Sequence, residues 1–207
     1  MAIASSQKTK VGLIKESAFG VLPATPQLVA QYQAETNFVL SQESIEDTVK
    51  TGFRQDLNYL YGNKSYTGTI TGQLTHGNYD TLMETAFFNT WSTNTLSIGD
   101  TRISLTIEEA QPDISTYFQY SGFVGNTLTI DAPNNGAVTF TLEGMAMSET
   151  ESAATVSTAP YTPYASKTPF TSCRGVITEG GTPIAYVSGS TFSINNNLTV
   201  QNYWCLS

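Results

Sequence analysis

From Ser65 to Thr75 the chain alternates strictly. Tyr66, Gly68, Ile70, Gly72 and Leu74 fall on one side, and Ser65, Thr67, Thr69, Thr71, Gln73 and Thr75 on the other. Period two with one apolar and one polar face describes a half-buried strand. After His76 and Gly77 the period lengthens to that of a helix, and Tyr79, Leu82, Met83, Ala86 and Phe87 make one apolar stripe. The pattern predicts a helix over 78–91, with Asn78 as N-cap and Asp80 in the first turn, where the helix dipole favours an acid. The unit expected is a helix laid on the apolar side of a sheet whose other side stays wet.

The remaining pattern adds strands. Val11–Lys15 is short and apolar. Gln31–Ile45 alternates weakly, with Phe38 and Leu40 on one face. Thr101–Glu109 sets Ile103, Leu105 and Ile107 against Arg102, Ser104, Thr106 and Glu108. Thr95–Ile98, Ile114–Phe123 and Thr127–Asp131 follow, and Ala-Pro-Asn-Asn-Gly is a turn into Ala137–Met145. Threonine and aromatics dominate these stretches, as pleated surfaces prefer. Residues 47–63 fit no template; a connection of this length is either a functional loop or a wide hairpin packed on its own sheet. Residues 1–10 read as a flexible arm ahead of a domain spanning 11–148. Residues 149–172, rich in Ser, Thr and Pro, read as an extended linker. Residues 173–207 return to strand patterning. There Gly175-Val-Ile-Thr-Glu179 echoes Gly12-Leu-Ile-Lys-Glu16, and Phe192-Ser-Ile-Asn loosely echoes Phe38-Val-Leu-Ser, as in a partial repeat.

Charge narrows the function. Of 207 residues only 13% are charged, and the formal net charge is -8. Nine scattered basic residues against seventeen acids do not make the basic patch that phosphate binding needs. His76 is the single histidine, so every Ser-His or Cys-His arrangement would depend on it. Glu108 and Glu109 are adjacent, so on a strand they point to opposite faces. No phosphate loop, cofactor motif or metal-ligand spacing occurs, and an enzyme is not expected. Cys173 and Cys205 read as free thiols or as a pair. Residues 1–10 lack the apolar core of a signal peptide and no run is long enough to span a membrane, so a cytoplasmic origin is expected.

The order of elements resembles the tail tube (major tail) proteins of long, non-contractile-tailed bacteriophages, the siphophages. The resemblance rests on Val11-Gly-Leu-Ile-Lys-Glu-Ser-Ala-Phe-Gly20, Arg54-Gln55, Tyr66-Thr-Gly-Thr-Ile70, Gly77-Asn-Tyr-Asp80 with Leu82 and Glu84, and Ser104-Leu-Thr-Ile-Glu108. It covers about 11–148. It implies a mainly β fold, a β-sandwich or small barrel flanked by one α-helix. It implies hexameric rings stacked into a hollow tube in the virion tail, assembled in the host cytoplasm. Partners would be further copies, the tape measure, the tail terminator and the baseplate hub, with DNA passing the lumen without specific binding. The polar face of 65–75 would suit a water-filled channel. The acids Glu43, Glu46 and Asp47 would face the lumen or else a solvated outer side. Lys50, Phe53, Arg54, Tyr59 and Tyr61 in the long loop would touch the adjacent ring. The other reading is a receptor- or carbohydrate-binding β-sandwich module using aromatics such as Tyr117 and Tyr120.

Overall fold

The computed structural model describes residues 5, 8–31, 35–46, 59–164, 168–172, 175–184 and 188–201. Its elements are β1 (Lys10–Lys15), β2 (Val29–Ala30), β3 (Glu35–Glu46), β4 (Tyr59–Gln73), α1 (Asp80–Phe87), β5 (Leu105–Gln111), β6 (Thr116–Pro133), β7 (Thr139–Ala146), β8 (Ser148–Ser152), β9 (Thr178–Glu179), β10 (Thr182–Pro183) and β11 (Gly189–Asn195).

The long strand β6 belongs to two sheets. Its first half pairs with β5 and β8, and its second half with β7 and β11. One sheet therefore runs β2-β1-β5-β6-β8 and the other β11-β6-β7-β4-β3, with every neighbouring pair antiparallel. β6 changes sheets at a bend, where Gly122 has φ +67° and a bulge falls between Gly125 and Thr127. A Cβ on Gly122 would stand 2.7 Å from Cβ of Met147, the residue at which the facing chain passes from β7 into β8. Only glycine fits that corner.

The two sheets face each other across one core. Leu13, Ile70, Leu105, Ile107, Phe123, Leu128, Phe140 and Leu142 are all but inaccessible to water. Each contributes about 1.5–3 kcal/mol by burial, which makes this cluster the main stabilising term. Phe38 of β3 stacks on Tyr120 of β6 with centroids 3.8 Å apart and meets Phe123 edge-on at 5.9 Å. These aromatics tie the two sheets together. The fold is the mainly β class expected, a small sandwich flanked by one helix.

Helix α1 buries Leu82 and Ala86 and packs on β6. The Thr85 hydroxyl donates to the Ile103 carbonyl at 2.6 Å and accepts from the Gly125 N–H at 3.1 Å. Buried Glu84 pairs with Lys15 of β1 and accepts the Trp91 N–H at 3.0 Å. The helix is shorter than the predicted 78–91. Phe88 turns left-handed (φ 53°) and its N–H closes onto the Glu84 carbonyl, which ends the helix. At the other end Tyr79 occupies the N-cap position without a side-chain cap, while Asn78 donates to the Thr75 hydroxyl at 2.5 Å.

Three further readings change. Thr106 and Glu108, expected on a polar face of β5, are fully buried: the Thr106 hydroxyl donates to Glu16 at 2.7 Å, and residues 155–161 supply the donors around Glu108. Residues 59–63 of the predicted loop extend β4 and pair with β3 as far as Glu46↔Tyr59, past a bulge between Gln42 and Ser44. Both faces of this extension are wet, so it lacks the apolar alternation that marks a strand. The rest of the loop, 47–58, lies outside the described residues. The predicted linker 149–172 begins with β8 and continues as a strap held by hydrogen bonds. Its Thr158 N–H and hydroxyl both donate to the Pro26 carbonyl at 2.8 Å, and Thr162 exchanges backbone bonds with Leu28 and Ala30. In the last segment, β9 and β10 form a small hairpin around Gly180 and Gly181, both with positive φ, and β11 joins the main sheet. The echo Gly175–Glu179 sits in a different setting from β1: Leu13 is buried, whereas its counterpart Val176 is 72% exposed. Cys173 and Cys205 lie outside the described residues.

Candidate functional site

The sheet β11-β6-β7-β4-β3 presents a largely polar face, on which Val39 is exposed beside the polar rows. Its register sets Asn195, Thr127, Glu143, Thr69 and Asn37 in one row across all five strands. The next row holds Ser193, Thr129, Thr141, Thr71 and Glu35. A third holds Thr191, Asp131, Thr139 and Gln73. The same strands turn Ile194, Leu128, Leu142, Ile70 and Phe38 inward. Period two in each strand thus separates core from water over the whole width. The polar face of 65–75 is one strip of this surface. These rows hold the acids Glu35, Asp131 and Glu143 and neither lysine nor arginine. Hydroxyls and amides make it a hydrated wall with a slight negative charge, and Thr191 donates to Asp131 at 2.6 Å within it.

The borders of the two sheets differ. In the first sheet, β2 is covered by the strap through the Ala30–Thr162 bond at 2.9 Å. Its other border, β8, is five residues long and carries Glu149 and Glu151. Short, charged or covered edges resist pairing with another chain. The borders of the second sheet are uncovered, and β3 keeps its acids, Glu35, Glu43 and Glu46, towards its ends. Among the described residues no strand pairs with the outer side of β3 or of β11. Thr36–Gln42 of β3 is uncharged, as is all of β11.

Beyond the five-strand region β3 and β4 continue as a two-stranded ribbon. Ile45, Leu60 and Tyr61 are exposed on it, Tyr61 by 75%. Of the residues expected to touch an adjacent ring, Tyr61 and the backbone of Tyr59 lie on this ribbon, while Lys50, Phe53 and Arg54 fall outside the described residues. Of the expected lumen acids, Glu43 is exposed at the bulge facing Gly62, and Glu46 ends β3 opposite Tyr59. Asp47 lies outside the described residues. Tyr120, offered as an exposed binding aromatic, is only 6% exposed and stacked on Phe38. Burial, with the charges of Glu149 and Glu109, pushes its hydroxyl well above the usual tyrosine range.

One buried polar cluster escaped the sequence reading. The Glu108 carboxylate accepts the Thr155 hydroxyl at 2.5 Å, the Val156 N–H at 2.8 Å and the Tyr161 hydroxyl. Burial, then the bond to Glu108, raises the Tyr161 pKa. Every donor here belongs to the strap, so the cluster fastens it to β5. The alternation around Glu108 placed it opposite the apolar face but gave no sign that a distant segment would cover it. Among the described residues no three His, Cys, Asp or Glu side chains are grouped to hold a metal ion. No described helix is long and apolar enough to cross a membrane.

A family model described as phage tail tube protein matches residues 6–206. No curated protein matches the chain. Among solved structures, a chain from the tail of an empty GTA particle with C6 symmetry is 12% identical, with a TM-score of 0.43 over 72% of this chain and 98% of that one. A chain of the six-fold symmetrised baseplate of the anti-feeding prophage is 13% identical, with a TM-score of 0.49 over 73% and 96%. A chain of an extracellular contractile injection system, in its extended sheath–tube complex, is 12% identical, with a TM-score of 0.43 over 73% and 93%.

Proposed function

The chain belongs to the phage tail tube protein family, structural proteins of the virion tail and not enzymes, and from that premise we propose how its copies build and use a tube. Six copies close edge to edge into a ring, rings stack, and the genome passes through the bore during ejection. The single observation that carries this reading is the five-strand sheet, which is polar on one face and unprotected at both borders. Closing such sheets into a cylinder removes their edges and leaves the polar face lining the bore. A wall with acids and no bases repels phosphates weakly and offers them nothing to hold. Glu43, Glu46 and Asp47 add negative charge near the mouth of the bore.

The ribbon and the loop 47–58 reach the next ring. Ile45, Leu60 and Tyr61 supply apolar contact, joined by Lys50, Phe53, Arg54 and Tyr59. Aromatics at the centre of such contacts carry much of their energy. The tape measure occupies the bore before ejection, and the terminator and baseplate hub cap the two ends. Assembly takes place in the host cytoplasm. Neither cofactor nor metal enters this function.

Negative-stain microscopy and sedimentation of the purified chain test the reading. Rings or tubes with a central hole are expected; a monomer at every concentration would overturn it. Removing residues 50–57 should leave single rings. Long tubes from that variant would remove the loop from the inter-ring contact.

A further inference from the structure

The structure identifies which borders meet, and in which sense; this rests on the tube reading above. We propose that β11 of one copy pairs with β3 of the next, and that this seam is parallel although every other pairing in the chain's main sheets is antiparallel.

Among the described residues the two main sheets have four borders, and two are blocked. The strap covers β2, and β8 is short and carries Glu149 and Glu151. The two open borders, β3 and β11, lie on opposite sides of the same sheet. Each offers an uncharged run of seven residues, Thr36–Gln42 (TNFVLSQ) and Gly189–Asn195 (GSTFSIN). Neither run contains the proline or lysine that keeps edges apart.

The direction follows from symmetry. Neighbours alternate in direction across β3, β4, β7, β6 and β11. With five strands, the first and last run the same way. Rotation about a ring axis preserves direction along that axis, so β11 of one copy and β3 of its neighbour run together. A four-strand unit ending at β6 would meet its neighbour antiparallel. The terminal segment therefore sets the sense of the seam.

Register narrows it further. Within one copy Asn195 is level with Asn37. Strands must tilt to close a barrel, and matching outward-facing with outward-facing side chains requires an even stagger. A stagger of four or six residues, about 13 or 20 Å over about 24 Å of sheet, tilts the strands by roughly 30–40°. Four residues brings Ser193 against Val39; six brings Thr191 against Val39.

Disulfide trapping in assembled tubes tests the seam, in full-length chains carrying Cys173→Ser and Cys205→Ser. Val39→Cys combined with Ser193→Cys or with Thr191→Cys should give a ladder of cross-linked copies. Val39→Cys with the inward Ile194→Cys should lose the ladder. From the pair that works, moving both cysteines two positions in the same direction along the sequence should keep the cross-link. If it survives only when they move in opposite directions, the seam is antiparallel and the proposal falls. Tubes that form normally but never trap β3 against β11 would overturn the seam and leave the tube reading standing. Failure of the unmodified chain to assemble would instead strike the tube reading itself.

Discussion

The hydroxyl of Tyr161 donates to the carboxylate of Glu108, 53 residues earlier and fully buried on β5. A buried carboxylate is tolerable only when donors surround it, and here the strap supplies all three. Tyr161→Phe should cost about 1.5–3 kcal/mol, the usual worth of a bond to a charged group. Urea denaturation measures the loss. Limited proteolysis should cut faster within 153–164 in the same variant, because the strap has lost one fastening. An unchanged cleavage rate would mean that the backbone bonds to Pro26, Leu28 and Ala30 hold it alone.

Gly144 is a point of close approach between the two sheets. A Cβ there would lie 2.4 Å from Phe123 Cζ and 2.5 Å from the Val124 carbonyl oxygen. The second contact is with backbone and cannot rotate away. Gly144→Ala should therefore destabilise by about 1–3 kcal/mol or more. Thr141→Ala, on the wet face of the same strand, should stay within about 0.5 kcal/mol. Thermal unfolding of the two variants compares them directly.

The polar wall can be given the charge it lacks. Thr71→Lys with Glu143→Lys leaves the core untouched and should change stability by about 1 kcal/mol or less. Tubes of this variant should retain double-stranded DNA in co-sedimentation at low salt and release it as salt rises. Replacing Glu43 and Glu46 with lysine should slow genome ejection without blocking assembly. If lysine-bearing tubes retain no more DNA than unmodified ones, this face does not line the bore.

Alkaline pH should expose the burial of Tyr79. Desolvation pushes its pKa up from 10.0 to about 12, so the folded chain keeps this proton after the unfolded chain has lost it. Its contribution is complete below pH 10 and disappears as pH climbs towards 12, by about 1.4 kcal/mol per pH unit. Tyr120 and Tyr161 are shifted in the same direction. Urea midpoints at pH 9 and 11 should differ more in the unmodified chain than in Tyr79→Phe.

Much of this molecule was legible because period two survives wherever one face meets water. Ile70 against Thr69, and Phe140 and Leu142 against Thr139 and Thr141, announced the wet sheet and its inner face. The signal failed where covering is supplied from far away. Glu108 looked solvent-facing because the strap that supplies its donors follows some fifty residues later, and Thr106 because its partner Glu16 lies 90 residues earlier. It failed again at Leu60 and Tyr61, where a ribbon wet on both sides has no apolar alternation. The strap reads as linker because its Ser, Thr and Pro composition is shared by disordered chain; only the partners of Thr155, Thr158 and Tyr161 distinguish the two.

The strap also orders events in time. Thr158 binds Pro26, 132 positions earlier, and loops that long close late. The hairpin of β3 and β4 needs no such wait. A freshly made copy should therefore pair β3 with β4 before its first sheet is sealed, and should be most prone to clump during that interval. Cells that make this chain faster than it can finish folding should accumulate it as insoluble aggregate, and slower synthesis should recover it.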